Sequence, residues 1–238
     1  WSSYSVPSIS VCMPAYNEEQ NLPGMIADVI SVMRGRGDEF EIVVTNDGSK
    51  DRTGAVLQEL AQTYPELRPV EHPVNRGYGA AVFTAITSAR KDLVFFTDSD
   101  RQFKLEELDR LLPHIAGADM VVGYRAPRRD PPLRVLFGKG WSALVTLLFG
   151  YTARDIDCAF KLFRREVIEK VGPQIQSRGA TFSAEFLVRT KRAGFRIKEV
   201  PVSHLPRTAG NPTGAKLHVI LRAFRELWQF RRELWREA

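Results

Sequence analysis

The first 125 residues alternate short apolar runs with longer amphipathic segments, and this alternation constrains the fold more than any other feature of the chain. Strands that alternate with helices favour an α/β fold, in which a mostly parallel central sheet is flanked by helices. Ligands of such sheets bind beyond the carboxyl ends of the strands, so the loops that follow the strands are candidate sites. The predicted strands are 8–13, 40–45, 67–71, 93–97 and 120–123, and the predicted helices are 18–34, 51–64, 77–90 and 105–112.

The second half of the chain departs from this pattern. Residues 133–151 are strongly apolar, residues 182–193 predict a helix, and residues 195–203 predict another strand. A polar stretch rich in Pro and Gly, 204–214, precedes a final helix at 215–235. The sequence has no internal repeat and no clear linker. We therefore expect one domain over residues 1–214, followed by a C-terminal amphipathic helix within 215–238.

Charge and cysteine content limit the class of protein. The 34 Lys and Arg residues exceed the 28 Asp and Glu residues, and the net charge of +6 suits anionic partners such as nucleotides, lipid phosphates or acidic membranes. Two cysteines, Cys12 and Cys158, are too few for a zinc cluster or a disulfide scaffold and indicate a reducing compartment. No signal peptide is visible. The longest uncharged apolar run, 141–153, is shorter than the ~20 residues of a spanning helix, so we expect that this chain does not cross a membrane by itself.

Polar clusters follow three of the predicted strands, at 14–18, 46–51 and 98–102. Each cluster alone is typical of a turn with a helix cap, but three at one edge of a sheet favour a binding site. In the third cluster, Asp98 and Asp100 leave a buried strand together and can present oxygens to a divalent ion that bridges a diphosphate, with Gln102 adding a further oxygen. The spacing itself is weak evidence, because Asp155 and Asp157 form a second such pair.

Several common sites are excluded by their missing motifs. No Gly-x-Gly-x-x-Gly follows the first strand, which argues against a dinucleotide dehydrogenase. No P-loop, nucleophile elbow or His-Glu-x-x-His motif occurs, and the four His are scattered. No run of aromatic residues interleaved with basic ones suggests a surface for nucleic acid, so we expect no nucleic-acid partner.

The motifs together resemble a known family. Pro-Ala-Tyr-Asn-Glu at 14–18, Asn-Asp-Gly-Ser-Lys-Asp at 46–51 and Asp-Ser-Asp-Arg-Gln at 98–102 resemble an inverting family 2 glycosyltransferase of the Rossmann-like GT-A fold. Residues 155–164 and 199–202, followed by Arg207, resemble its polyprenyl-phosphate branch, typified by dolichyl-phosphate mannose synthase. The resemblance covers residues 8–215. It implies a GDP- or UDP-linked sugar donor, Mg²⁺ or Mn²⁺, and a dolichyl or undecaprenyl phosphate acceptor. It also implies a peripheral position on the cytoplasmic face of a membrane.

The resemblance also implies roles for individual residues. Asp98 would lie beside the ribose and the metal, and Asp100 and Gln102 would be metal ligands. The sequence departs from the family at Asn46, where an Asp is common, at Cys158-Ala159, where Ser-Gly is common, and at the turn 211–214. Nucleotide contacts are implied for Pro14, Tyr16, Glu18, Asp47 (to the base) and Ser99, and phosphate contacts for Arg125, Lys161 and Arg207.

A mechanism follows from the charges. A lipid monophosphate is already anionic near neutral pH, so it needs no strong base to attack the anomeric carbon. The site must instead neutralise the leaving diphosphate, through the metal on Asp100 and Gln102. It must also neutralise the approaching phosphate, for which Arg207, Arg125 and Lys161 are the candidates. If the acceptor were a hydroxyl on a glycolipid or polysaccharide, a general base would be required, and Asp155 and Asp157 are the candidates. A non-catalytic module that binds sugar or nucleic acid is a third hypothesis.

Two segments are candidates for membrane contact. The final helix has a basic stripe beside an apolar side that contains two Trp, which suits a helix lying on anionic lipid. The same pattern also suits a helix packed on its own domain, and the sequence does not decide between the two. Residues 133–151 are the second candidate, and their alternative is a buried core helix.

Overall fold

A computed structural model of the chain describes residues 7–207, 209 and 217–237. The strands are β1 (Ile9–Ala15), β2 (Phe40–Asp47), β3 (Leu67–His72), β4 (Leu93–Thr97), β5 (Met120–Arg125), β6 (Phe160–Arg164) and β7 (Ile197–Val202). The helices are α1 (Leu22–Arg36), α2 (Thr53–Thr63), α3 (Tyr78–Thr87), α4 (Leu108–Leu111), α5 (Pro132–Phe149), α6 (Arg165–Val171), α7 (Phe182–Arg192) and α8 (Leu217–Glu237).

The strands form one sheet in the order β3-β2-β1-β4-β6-β5-β7. All neighbouring pairs are parallel except those of β6, which runs antiparallel to both β4 and β5. The predicted α/β fold with a mostly parallel central sheet is confirmed. Because β6 is reversed, it begins at the edge where β4 and β5 end. The loop that enters β6 therefore lies beside the loops that leave its neighbours.

Helices cover both faces of the sheet and create two cores. In β1, Val11 and Met13 point to one core and Cys12 points to the other, because side chains alternate along a strand. Helices α1, α2 and α4 cover the first face, and α3, α6, α7 and α8 cover the second. All residues of β1 are buried, which explains its nearly continuous apolar sequence.

Some predicted boundaries were wrong, for local reasons. Strand β6 and helix α6 were not predicted, since Lys161 and Arg164 interrupt the apolar pattern that identifies a buried strand. The first helix begins at Leu22 rather than at residue 18, because the backbone of Glu18 is used in a loop contact with Thr53. The predicted helix 105–112 is a short α-helix between two 3₁₀ turns, and Pro113 cannot supply a further helical N–H.

Helix α8 packs on its own domain through one face. Its buried apolar residues are Ala223, Leu227, Phe230 and Leu234, and the Phe230 ring stacks on Phe149 of α5 with centroids 4.8 Å apart. The packed arrangement that the sequence left open is thus present, although other apolar residues of α8 remain exposed. The predicted boundary between 214 and 215, the helix start at Ala215 and the turn 211–214 lie outside the described residues.

Helix α5 is the least buried of the long helices. Only Ser142 and Val145 among its 18 residues are buried, and most of the others are apolar. By length and composition it could cross a membrane. The sequence expectation counted uncharged residues alone, whereas this helix is apolar on average despite Arg134 and Lys139. The alternative of a buried core helix is wrong for most of this segment.

Candidate active site

The three predicted polar loops meet at the carboxyl edge of the sheet. The backbone N–H of Asn17, after β1, donates to Ser49 Oγ after β2 over 3.0 Å, and Asn17 Oδ1 accepts from the Lys50 N–H over 2.9 Å. Ser99, after β4, donates to the Pro14 carbonyl over 2.9 Å. The loops therefore hold one another, as the parallel strand order predicts.

Two acidic residues, Asp98 and Asp100, stand at the centre of this edge. Asp98 Oδ1 accepts a hydrogen bond from the Tyr78 hydroxyl over 3.0 Å, and Asp100 Oδ2 pairs with Arg207 Nη2 over 2.7 Å. Burial, together with the neighbouring Asp100 charge, raises the pKa of Asp98 to about 7. Burial also raises the pKa of Asp100, against the opposing effect of Arg207. A site that concentrates two carboxylates in this way favours a cation as its third partner.

The donor set fits a hard divalent cation. Among the described residues, no three His, Cys, Asp or Glu side chains converge on one point. Mg²⁺ in nucleotide enzymes is commonly held by one or two carboxylates, with substrate phosphates and water completing its octahedron. Asp98 and Asp100 supply such a pair. Gln102 lies beside them, and its amide nitrogen donates to the Leu205 carbonyl over 3.1 Å.

The turn that carries Asp100 is strained. Arg101 has a φ of 60°, in the left-handed region that costs a residue with a side chain about 1 kcal/mol. Its guanidinium lies 2.9 Å from Asp28 of α1. It also packs directly over Gly24, since a Cβ atom at that residue would stand 2.5 Å from Arg101 Nη1. These contacts hold the turn in place and fix the direction of Asp100.

Asp47 is buried and organises the loop after β3. Its carboxylate accepts hydrogen bonds from His72 Nδ1 over 2.7 Å and from the backbone N–H groups of Arg76 and Gly77 over 2.9 and 3.0 Å. Direct contact with a nucleobase stays a prediction for this residue. The neighbouring Asn46, where the family often has Asp, donates to Glu71 over 2.7 Å.

The remaining predicted nucleotide residues line the same edge. Pro14 and Ser99 are buried, whereas Tyr16 and Glu18 are partly buried. Burial raises the pKa of Glu18, and its carboxylate accepts from the Asn21 amide over 2.6 Å.

Arg125 and Asp155 form a two-bond ion pair at the end of β5. Arg125 Nε and Nη2 donate to the two Asp155 oxygens over 2.8 and 2.7 Å. Burial alone would raise the pKa of Asp155, but Arg125 outweighs it and the pKa lies below its usual range. Asp155 is therefore a weak base whose oxygens are already engaged. Asp130 joins the cluster through Arg128, whose Nη2 lies 3.0 Å away.

Asp157 lies in the loop before β6, and Lys161 lies in β6 itself. The Asp157 side chain reaches solvent, but the protein atoms around it limit its hydration and raise its pKa to about 6. Lys161 is 1% exposed, and its ammonium donates to the carbonyls of Ile156 (3.0 Å) and Cys158. The lysine thus holds the loop that carries Asp157, and its predicted contact with phosphate stays a prediction.

The sequence analysis missed several residues of the site. Tyr78 and His72 flank the loop after β3, which is a fourth polar loop at the same edge. The Asn-Arg-Gly-Tyr sequence at 75–78 was the available signal. Asp130 and Arg128 were also missed, because they lie in an irregular loop with no periodic pattern.

Comparison with known proteins places this arrangement in a family. The model of Glycosyl transferase family 2 matches residues 10–172. A dolichyl-phosphate beta-glucosyltransferase of Trichomonas vaginalis is 33% identical over 208 residues, which are 82% of this chain and 64% of the relative. A polyprenol monophosphomannose synthase of Mycolicibacterium smegmatis is 32% identical over 211 residues, covering 84% of this chain and 78% of the relative. The chain spans less than two thirds of the Trichomonas protein's length.

Solved structures agree with the fold. A mannosyltransferase of Pyrobaculum calidifontis, in complex with GDP-Man and Mn²⁺, superposes with a TM-score of 0.67 at 20% identity, over 98% of this chain and 65% of that one. A Mycobacterium tuberculosis glucosyl-3-phosphoglycerate synthase with Mn²⁺ and UDP superposes with a TM-score of 0.68 at 21% identity, over 94% and 80% of the two chains. The predicted GT-A fold is confirmed. The chain belongs to glycosyl transferase family 2.

Proposed function

We propose that this protein transfers a sugar, with inversion and with the help of Mg²⁺ or Mn²⁺, from a GDP- or UDP-linked donor to a polyprenyl phosphate at a membrane surface. The observation that carries the proposal is the ion pair between Asp100 and Arg207, which joins a carboxylate site for a metal to a cation for phosphate. The names of three relatives support the acceptor, since they refer to dolichyl-phosphate, polyprenol monophosphomannose and undecaprenyl-phosphate.

The donor half binds and orients the nucleotide sugar. Asp98 and Asp100 would hold the divalent ion, which when bound neutralises the leaving diphosphate. Tyr78 fixes Asp98 through its hydroxyl, and Arg207 fixes Asp100. The buried Asp47 fixes the loop 75–77 that closes the nucleotide side.

The acceptor half needs cations more than a base. Arg207 stands at the metal site, and Arg125, Arg128 and Arg134 surround two carboxylates, Asp130 and Asp155. These arginines outnumber the carboxylates that they contact, so the cluster retains positive charge for an incoming phosphate. Because a lipid phosphate is an anionic nucleophile already, the engaged and weakly basic Asp155 is no obstacle to the reaction.

Helices α5 and α8 supply the membrane side of the proposal. Trp141 meets Phe224 with ring centroids 5.9 Å apart, and Phe149 meets Phe230 further along both helices, so the two helices run side by side in the same direction. On each helix, the face beside this contact and further from the core is exposed. These exposed apolar residues are Leu133, Leu136, Phe137 and Leu147 on α5, and Leu217, Ile220, Leu221, Phe224, Trp228 and Trp235 on α8.

These exposed residues of α5 and α8, which we call the apolar row or outer row, have the character of a surface that lies at the membrane–water interface. Isolated apolar residues are ordinary on a protein surface, but a contiguous patch of large ones marks an interaction site. Basic residues border it on α8 at Arg225, Arg232 and Arg236 and on α5 at Arg134 and Lys139. Apolar residues bordered by cations suit the boundary of a bilayer with anionic lipids. We propose a position on the cytoplasmic face of the membrane, as the family resemblance implies.

A hydroxyl acceptor is the second candidate function, and Asp157 favours it. This carboxylate reaches solvent beside the site and has a pKa of about 6, close to the value of an effective general base at neutral pH. The hydroxyl reaction would depend on Asp157, whereas the phosphate reaction would not.

The test is transfer from a panel of radiolabelled GDP- and UDP-sugars to polyprenyl phosphate in detergent, with Mg²⁺, Mn²⁺ or EDTA. We expect a labelled lipid product that forms with metal and disappears with EDTA. Donor binding or hydrolysis without a lipid product would turn the assignment to a hydroxyl acceptor. Absence of binding for every donor would contradict the proposed function altogether.

A further inference from the structure

The C-terminal helix α8 touches the donor side of the molecule through two charged residues, Arg222 and Glu226. Glu226 is 9% exposed although it is an acidic residue on an amphipathic helix. Its carboxylate accepts hydrogen bonds from the backbone N–H groups of Arg178 (3.4 Å) and Gly179 (3.1 Å), in the loop before α7, and from Arg222 Nε (2.8 Å). The side chain therefore has defined partners on another element and is more than a solvated charge on the polar face.

Arg222 links Glu226 to the loop after β3. Its Nη1 donates to the carbonyl of Arg76 over 3.3 Å. The same nitrogen lies 2.7 Å from the position that a Cβ atom on Gly77 would take, so the guanidinium rests directly against the loop. Gly77 has a φ of 110°, a conformation that is essentially restricted to glycine, so the loop depends on a glycine at this position.

The loop that Arg222 contacts carries the donor site. The N–H groups of Arg76 and Gly77 hold the Asp47 carboxylate, and the next residue, Tyr78, donates to Asp98. Three consecutive residues thus connect the contact on α8 to the predicted nucleotide and metal residues. The contact from α8 therefore reaches these residues through the loop itself, with no other element of the described chain between them.

A second path joins the same elements. The carbonyl of Arg178 accepts from the Ala80 N–H of α3 over 2.8 Å, and the Arg178 guanidinium lies 4.2 Å from the centre of the Phe83 ring. Gly79 is packed so closely on Gly179 that a Cβ atom there would stand 2.4 Å from its carbonyl oxygen. Glu226, which binds the N–H groups of 178 and 179, therefore fixes the start of α3 as well.

We propose that Arg222 and Glu226 are positioning residues for the sugar-nucleotide donor, holding the loop 76–78 in the conformation that binds the nucleotide diphosphate. The helix that carries the exposed apolar row is then also a structural part of the donor site. This inference rests on the proposed function, because it concerns the donor that the function requires.

The experiment compares Arg222→Gln with Arg222→Lys and with a charge-matched control, Arg192→Gln, at an exposed arginine of α7. Binding of GDP and of UDP with Mn²⁺ is measured by calorimetry, and hydrogen exchange is measured over residues 72–80. We expect Arg222→Gln to raise the nucleotide Kd about tenfold, the effect of losing one charged hydrogen bond. We also expect faster exchange at residues 76 and 77, with KM for the donor raised and kcat little changed.

The other variants separate positioning from folding. Arg222→Lys keeps the positive charge and one donor nitrogen and should recover part of the nucleotide affinity, while Arg192→Gln should behave as the wild type. Glu226→Gln should reproduce the loss of affinity, since an amide group facing the 178 and 179 N–H groups cannot accept from both as a carboxylate does. A cooperative thermal unfolding transition with a Tm close to that of the wild type establishes that each variant is folded.

Two outcomes would overturn the proposal and are distinguishable. If the wild type binds and Arg222→Gln binds equally tightly, with unchanged exchange at 76 and 77, the positioning role is wrong and the proposed function stands. If the wild type binds neither nucleotide with Mn²⁺, the proposed function fails and the inference fails with it. Equal loss of nucleotide and vesicle binding in Arg222→Gln would also overturn it, since the residue would then only hold the helix in place.

Discussion

Charge at a few side chains decides the chemistry of this molecule. Asp98 and Asp100 share one end of a buried strand, and both have a raised pKa because burial opposes their ionisation. Arg207 offsets part of that cost at Asp100. Asp155 is the opposite case, since Arg125 holds its pKa below the usual range. The four carboxylates of the sequence motifs therefore separate into the pair that we propose for a cation, an ion-paired Asp155 and a solvent-facing Asp157.

Replacement of Asp100 by Asn should abolish metal-dependent donor binding while the fold is retained. The variant removes the charge of a proposed metal ligand, which is worth several kcal/mol, so we expect the affinity for nucleotide with Mn²⁺ to fall about a hundredfold or more. Calorimetry with and without Mn²⁺ measures the change. Asp109→Asn, at a side chain 64% exposed on α4, is the matched control. Full turnover by Asp100→Asn would remove the basis of the proposed metal site.

Asp157 separates the two acceptor classes. For a phosphate acceptor we expect Asp157→Asn to keep kcat within about threefold, because no base is needed. The wild-type rate should fall as the pH drops through about 6 in either case. Protonation of Asp157, whose pKa is about 6, would remove a base, and protonation of a phosphate monoester with a second pKa near 6 would weaken a nucleophile.

The pH profile of the variant tests whether Asp157 is the group responsible. If the acid limb persists in Asp157→Asn, another group causes it, which is the expected result for a phosphate acceptor. Disappearance of that limb, together with a large loss of kcat, would support the hydroxyl acceptor instead.

At the scale of elements, helices α5 and α8 combine packing with exposure. The buried face of α8 closes the core through Phe230, so deleting the helix would expose apolar surface and damage the domain. Substitutions on the outer row avoid this problem. Phe137 and Trp228 are 68% and 58% exposed and contribute little to the core.

Phe137→Ser and Trp228→Ser should weaken binding to lipid vesicles and leave nucleotide binding unchanged. A large side chain buried in the interface contributes about 2 kcal/mol, so each change should lower vesicle affinity by at least about tenfold. Sedimentation with vesicles measures it, beside calorimetry with nucleotide. Val74→Ser, at a residue 64% exposed on the loop after β3, is the control. Unchanged vesicle binding in both variants would contradict the proposed membrane surface.

The sequence predicts the elements that have regular apolar periodicity and misses those without it. Strand β4 was predicted with its observed bounds, because Leu-Val-Phe-Phe-Thr has no polar interruption. Strand β6 escaped, since the buried Lys161 is satisfied by carbonyls that only the folded loop brings near. The clustering of Asp98 and Asp100 with the loops at 14–18 and 46–51 followed from parallel strand order. The pairing of Arg125 with Asp155 did not, because it joins residues 30 positions apart, and the chain between them combines irregular segments with helix α5.

At the scale of the whole molecule, the charges that sum to +6 are unevenly distributed over the surface. Several of the surplus basic residues border the apolar row on α5 and α8, where each Lys or Arg near an anionic surface contributes about 1 kcal/mol. The acidic residues of the site lie at the carboxyl edge of the sheet. The proposed membrane side and the proposed metal side therefore differ in charge.

Binding to vesicles should depend on both anionic lipid and salt. We expect raising the salt from about 0.05 to about 0.5 M to weaken binding to anionic vesicles about tenfold or more, because the Debye length shrinks. Binding to neutral vesicles, which depends on the apolar row, should change little. Salt-independent binding to anionic vesicles would show that the basic border contributes nothing.

The reversed strand β6 has a consequence for how acceptor preference can change. Strand β5 ends and β6 begins at the same edge, side by side, with Val122 opposite Lys161. The chain between them, which includes Arg128, Asp130, all of α5 and Asp157, leaves the sheet and returns to it at one place. Because its two ends are fixed side by side on the sheet, this segment can change in length or sequence without moving the strands. Under the proposed function, acceptor preference can therefore change while the strands that carry the donor residues stay the same.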